Sequence, residues 1–192
     1  FSDEATFHVS NKVNKCNCRI WGSENPHAVQ EEERNSPKIN LWCALSHDTV
    51  MWSFFFAETS VTANIYLDML YIYGIPQMQH LQQTVFFQHD RVNPHWTRMF
   101  GFLDTAFPNR WIGRGGPIAC PPRSPGLTPL DFFFWGYVKV YSREIHNVED
   151  LRASITAAIA TVTTEMLQRT WLELDYWLYI LRATKEAHVE VH

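Results

Sequence analysis

Three aspartates stand where this chain passes from one element to the next. Asp3 falls on a first β-prone stretch, Asp90 directly follows a later one, and Asp131 opens a helical stretch. The separations are 87 and 41 residues, so only a fold could gather them. Carboxylates at strand ends and helix starts are where layered α/β sheets place their active sites. Three converging carboxylates repel one another unless divalent cations neutralise them. Hard cations such as Mg²⁺ take oxygen ligands, and two of them about 3.5–4 Å apart can activate a nucleophile and stabilise a leaving phosphate oxygen. Taken singly, each aspartate also has an ordinary explanation as strand-end turn, loop residue or helix cap, in a chain with 20 acidic residues.

Other residue types narrow the chemistry. Cys16 and Cys18 could ligate zinc together with His8 or His27. No second close cysteine pair completes such a site, so the four cysteines read as free thiols in a reducing compartment. The net charge of −4 opposes nucleic-acid binding, but the distribution does not. Residues 1–90 carry a net −5 and residues 144–192 a net −4, whereas residues 91–143 carry seven basic groups against two acidic ones, a net +5. Six of the seven are arginines, whose planar fork suits phosphate. A basic middle fits a phosphate-contacting surface, and it equally fits an unevenly charged solvated one.

The elements that must position these residues follow from periodicity. Strands are expected over Ala5–Val9, Cys18–Trp21, Ile39–Leu45 and Val50–Ala57, forming an antiparallel meander after a turn at Ser10-Asn11 and an acidic loop over Gly22–Pro37. Apolar residues at Ile65, Met69, Leu70 and Ile72 predict a helix within Thr62–Met78. Thr84–Gln88 reads as a strand and Trp96–Ala106 as a helix. Gly113–Pro129, with four Gly and five Pro, reads as irregular. A buried helix is expected from Asp131, since Phe132–Tyr137 is apolar all round. Asn147 should cap a further helix with the stripe Leu151, Ile155, Ile159 and Val162. Thr164 should cap the last one, with the stripe Leu167, Trp171, Leu174, Leu178 and Leu181.

Length and composition fit this plan. A chain of 192 residues, 46% apolar and 15% aromatic, can bury one core without disulfides or metal staples. That aromatic share argues against disorder. No apolar run is long enough to cross a bilayer. Strands first and helices after, with a strand-to-helix crossing between, define an α/β class. The expected division is residues 1–146 as one domain, with 147–192 as a helical pair packed on it.

Three words in fixed order carry a resemblance: Phe1-Ser2-Asp3-Glu4-Ala5, then Gln88-His89-Asp90 with Pro94-His95, then Pro121-Pro122-Arg123-Ser124-Pro125-Gly126-Leu127-Thr128-Pro129-Leu130-Asp131. Arg19-Ile20-Trp21-Gly22, Asn25-Pro26-His27, Arg110-Trp111-Ile112-Gly113-Arg114 and Trp135-Gly136-Tyr137-Val138-Lys139 extend it over essentially the whole chain. Together they resemble the catalytic domain of mariner-like transposases, insect transposon-derived members of the DDE/D enzymes. The resemblance implies a ribonuclease-H-like mixed sheet flanked by helices. It makes Asp3, Asp90 and Asp131 the triad for two divalent cations, Mg²⁺ or Mn²⁺. The implied chemistry is metal-assisted strand cleavage at transposon ends, then attack of the freed 3′-hydroxyl on target DNA. His95 matches a family histidine just downstream of the second aspartate and is expected to help position DNA or the triad, though it could simply cap the next helix. Arg114, Arg123 and Lys139 of the basic middle are the expected DNA contacts. The expected partners are DNA and, through the C-terminal helices, a second copy of the chain; no membrane is expected. The expected location is the nucleus, or the cytoplasm, since no targeting signal is visible.

The chain departs from the family at several points. Gly126 stands where an acidic residue usually follows Ser-Pro, and bulky Arg91 follows the second aspartate. The strand leading into the third word is reduced to Ile118-Ala119-Cys120. A start at Phe1, within the first strand, is expected to mark a fragment lacking the family's helix-turn-helix region. Two readings therefore stand: a domain that still binds metal and cuts DNA, or a decayed or repurposed remnant that binds nucleic acid without turnover. A protein-interaction module using the aromatic C-terminal helices is a third.

Overall fold

The structure is a computed structural model that describes residues 1–9, 36–79, 81, 84–88, 97–113, 115–119, 128–141 and 145–184. Strand β1 spans Ser2–His8, β2 Lys38–Leu45 and β3 Val50–Phe55. They form a three-stranded sheet in the order β1-β2-β3. Ile39 to Leu45 are all buried and, but for Asn40, apolar, as expected of a strand covered on both faces. β2 pairs antiparallel with β3, Leu41 opposite Phe55 and Trp42 opposite Phe54, with an irregularity at Ala44/Leu45. Phe1 and Leu45 exchange backbone hydrogen bonds of 3.0 and 2.9 Å at the start of β1. The predicted strand over Cys18–Trp21 lies outside the described residues.

Helix α1 covers Ala63–Met69, and Thr62 caps it by accepting from the Ile65 amide. The predicted helix continues as expected, but through a π-helical turn over Leu70–Gly74 before α2, Ile75–Gln77. Strand β4 is only Phe87–Gln88, shorter than the predicted Thr84–Gln88. The reason is local: the Thr84 and Val85 amides both bond the Leu81 carbonyl, at 2.9 and 3.1 Å, and are spent on a turn. Helix α3, Thr97–Ala106, then carries the chain to β5, Trp111–Gly113, which runs parallel to β4. Within the stretch predicted to be irregular, Ile118–Ala119 forms β6, parallel to β5. The second sheet has the order β4-β5-β6.

After these come a π-helical turn over Leu130–Phe134, α4 over Trp135–Tyr141, α5 over Val148–Ala160 and α6 over Thr164–Thr184. The helix expected at Asp131 is present, but its burial is one-sided. Leu130, Phe134, Trp135 and Val138 are buried, while Phe132 and Phe133 are half-covered. Asn147 caps α5 as expected, its side chain accepting from the Asp150 amide at 2.8 Å. The cap of α6 is Thr163 rather than Thr164, because the Thr163 hydroxyl accepts from the Met166 amide at 3.3 Å.

Contacts divide the chain into two units. The first comprises Phe1–Ala5, Asn40–Ser46 and Val50–Pro125, and the second Thr6–Ile39, His47–Thr49 and Gly126–His192. The first unit's core joins Trp42, Phe56, Tyr66, Leu70, Phe87, Leu103, Phe107 and Trp111. Phe87 stacks on Phe107 at 5.0 Å, and Phe100 on Trp111 at 5.7 Å. The turn from β5 to β6 closes over that tryptophan. A Cβ on Gly116 would stand 2.7 Å from the Trp111 ring, so only glycine fits. In the second unit Phe7 packs edge-on against Trp135 at 6.0 Å, and the Tyr137 hydroxyl meets that of Thr161 at 2.9 Å, tying α4 to the end of α5.

Candidate metal and nucleic-acid site

Asp3 sits on β1 and is only 8% exposed. Its neighbour Ser2 is also buried, and consecutive strand residues face opposite ways, so both faces of the sheet are covered there. Burying a carboxylate is costly unless hydrogen bonds, a cation or a proton compensates it. The charge of Asp3 is felt nearby. Burial first, and Asp3 second, push the Cys43 thiol well above its ordinary range. Burial, then Glu4 and Asp3, raise the Tyr66 phenol far up, partly offset by hydrogen bonds from Trp42 and Ser2.

Among the described residues, no group of three His, Cys, Asp or Glu side chains is placed to hold a metal ion. Asp90 lies outside the described residues. What the structure does supply is a link toward it: the Ser2 hydroxyl donates to the Gln88 carbonyl at 3.0 Å, pinning β1 to the end of β4 across 86 residues of sequence.

Asp131 belongs to the second unit and is exposed in the first turn of its helix. The Thr128 hydroxyl donates to the Asp131 carboxylate at 3.0 Å and accepts from the Asp131 amide at 3.2 Å. This reciprocal pair fixes the carboxylate at a helix start, where negative charge is favoured.

Of the predicted DNA contacts, His95, Arg114 and Arg123 lie outside the described residues. Lys139 is described, and it is half-buried on α4 with its ammonium 5.6 Å from the centre of the Phe7 ring. Burial lowers its pKa, and the charge of Asp131 pulls it back up. Arg110, counted in the basic segment but not singled out, has its Nη1 buried with no hydrogen-bond partner among the described residues. The sequence reading also missed Ser2, and only its adjacency to Asp3 could have pointed to it.

With this geometry in view, the comparison with solved structures defines the class of fold. The chain has the fold of the mariner transposase catalytic domain. A pre-cleavage Mos1 transpososome superposes with a TM-score of 0.72 at 18% identity, over 98% of this chain and 56% of that one. The Mos1 mariner paired-end complex with Mn gives the same figures: 0.72, 18%, 98% and 56%. The Mos1 transposase catalytic domain, solved with Raltegravir and Mg, gives 0.61 at 20% identity, over 80% of this chain and 78% of that one. This chain thus spans little more than half the length of the Mos1 chains in the DNA complexes. No protein-family model matches the sequence, and no curated protein matches it significantly. No helix among the described residues is long and apolar enough to cross a membrane.

Proposed function

We propose that this chain is a transposase-derived nucleic-acid-binding domain whose ancestral chemistry is metal-dependent DNA strand cleavage and strand transfer. The observation that carries the reading is the likeness in fold, over 98% of the chain, to Mos1 complexes assembled on transposon ends. The buried carboxylate of Asp3 on β1 supports it, since a carboxylate held in a covered strand needs a compensating charge and a hard cation would supply one. In this reading the sheets belong to one ribonuclease-H-like arrangement, and Asp3, Asp90 and Asp131 hold two divalent cations. When bound, such ions activate the attacking oxygen and stabilise the leaving one in an in-line phosphoryl transfer.

The chain's own residues would orient and attract. Thr128 presents the Asp131 carboxylate at its helix start, and Ser2 ties the strand of Asp3 to the end of β4. Arg114, Arg123 and His95 would contact the phosphate backbone. Lys139 would serve less as a phosphate contact than as a positive neighbour of Asp131, because its ammonium already packs on Phe7. Leu172, Tyr176 and Tyr179 stand exposed at helical spacing on α6, and a second copy of the chain would cover them. The location that fits DNA as partner is the nucleus.

The reading without turnover is favoured by the sequence before the third motif, reduced to Ile118-Ala119-Cys120 where the family has a longer strand. One experiment separates the two. Duplex DNA binding should fall steeply from low to moderate salt, as counterion release requires, and should weaken in Arg114→Ala plus Arg123→Ala. Nicking of a labelled transposon-end duplex in Mn²⁺, lost in Asp131→Asn, would favour the active enzyme. Binding without nicking would favour the remnant. Salt-independent or absent binding would sink both.

A further inference from the structure

We propose that the outer face of α6 pairs antiparallel with the same face of a second copy of the chain, centred on Leu172, and that Arg169 of each copy lies beside Glu173 of the other. The inference rests on the reading in which a second copy covers α6, and it adds the orientation, the register and the residues that fix them.

α6 presents two contact faces. It runs for 21 residues, Thr164–Thr184, without a glycine or proline to bend it. Leu167, Thr170 and Leu174 are buried and define the inner face. At 3.6 residues per turn, Glu165, Arg169, Leu172, Tyr176 and Tyr179 fall on the opposite side of the helix, and all five are exposed. Leu172 and Tyr179 are each 70% exposed and Tyr176 is 60% exposed. Single apolar side chains on a surface are ordinary, but three on one stripe opposite the core make a second surface to cover.

The charges on and beside the stripe select what covers it. Glu165, Glu173 and Asp175 stand exposed there against one basic residue, Arg169, so a phosphate backbone is repelled. Two parallel copies would set Glu165 against Glu165, like charge on like charge along the contact line. Two antiparallel copies related about Leu172 set Glu165 of one against Tyr179 of the other, whose hydroxyl can donate to the carboxylate. Arg169 then reaches the Tyr176 ring, as a cation over an aromatic face, with Glu173 one turn away on the same flank. On the other flank Asp175 comes level with Gln168, which can donate to it. The patch is complementary to itself, as a two-fold interface requires. One helix face is smaller than the roughly 800 Å² per partner of a standard interface, so the dimer should form at micromolar concentrations.

Sedimentation equilibrium of the 192-residue chain at micromolar concentration and low salt tests the pairing. The parent should show a reversible equilibrium of monomer and dimer. Arg169→Glu leaves the shared flank acidic, and Glu173→Arg leaves it basic, so each change alone should weaken self-association by about tenfold or more. Mixed in equal amounts, the two variants should associate with each other, because each carries the charge that the other lacks. A chain with both changes should dimerise close to the parent. Both positions are exposed, so circular dichroism should be unaltered in every variant. A parent that stays monomeric would overturn the pairing together with the second-copy reading. A dimeric parent whose association is unmoved by either change, or variants that fail to associate when mixed, would overturn the α6 register and assign the dimer to another surface. Neither result touches the DNA reading, which the salt dependence of duplex binding tests separately.

Discussion

Cys43 and Tyr66 record the burial of the Asp3 strand in their acidities. Both hold their protons in the folded chain beyond the ordinary values of 9.0 and 10.0. An acid whose folded pKa is raised binds more protons folded than unfolded once the pH passes the unfolded value. Stability is then full below that value and falls as pH rises through the window above it. Melting temperature should accordingly decline above about pH 9, and Cys43→Ala should flatten the first part of that decline. A slope unchanged by the substitution would mean that the thiol is not protected. The same burial should keep native Cys43 unmodified by alkylating reagents at neutral pH, with reaction only after unfolding. At this scale the sequence was partly legible. Asp3 could be singled out by its place in a β-prone stretch, and the fold buries it on β1. Ser2 could not, because its partner is a backbone carbonyl 86 residues away, and a hydrogen bond to main chain leaves no mark on local pattern.

Elements with local signals were the easiest to read. The Asn147 cap was visible because Asp150 follows three residues later and an apolar stripe begins directly after it. Thr163 and Thr164 are adjacent and chemically identical, so only the geometry of the turn distinguishes them. Thr163→Ala should cost about 1 kcal/mol as a lost helix cap, and Thr164→Ala much less. Equal losses in chemical denaturation would return the cap to Thr164. β6 was legible only through the resemblance, as the reduced strand before the third motif: its two residues sit among glycines and prolines, and pairing with β5 supplies what propensity does not. The crowding above Trp111 gives a further expectation. Gly116→Ala should destabilise by about 1–3 kcal/mol, since the ring it would strike is fully buried and has no room to yield. The π-helical turns were equally invisible, because apolar spacing reports a helical face and not the reach of each hydrogen bond.

For the whole molecule, the overall α/β class follows from element order, and three short motifs carried the resemblance that the fold comparison then met. What composition could not show is how the chain is shared between its two units. Each unit is assembled from three separate stretches of sequence, and β1 and β2 each give residues to both. A strand cannot unravel at one end of its ladder without loosening the other, so calorimetric and van't Hoff enthalpies should agree for a single transition. The interleaving also bears on how such a chain can be cut and recombined. A fragment of residues 126–192 lacks Phe7, against which Trp135 and Lys139 pack, and should remain unstructured by circular dichroism when made alone. Mixed with residues 1–125, it should regain helicity. Recovery of helicity on mixing would mean that neither stretch alone serves as a transferable module.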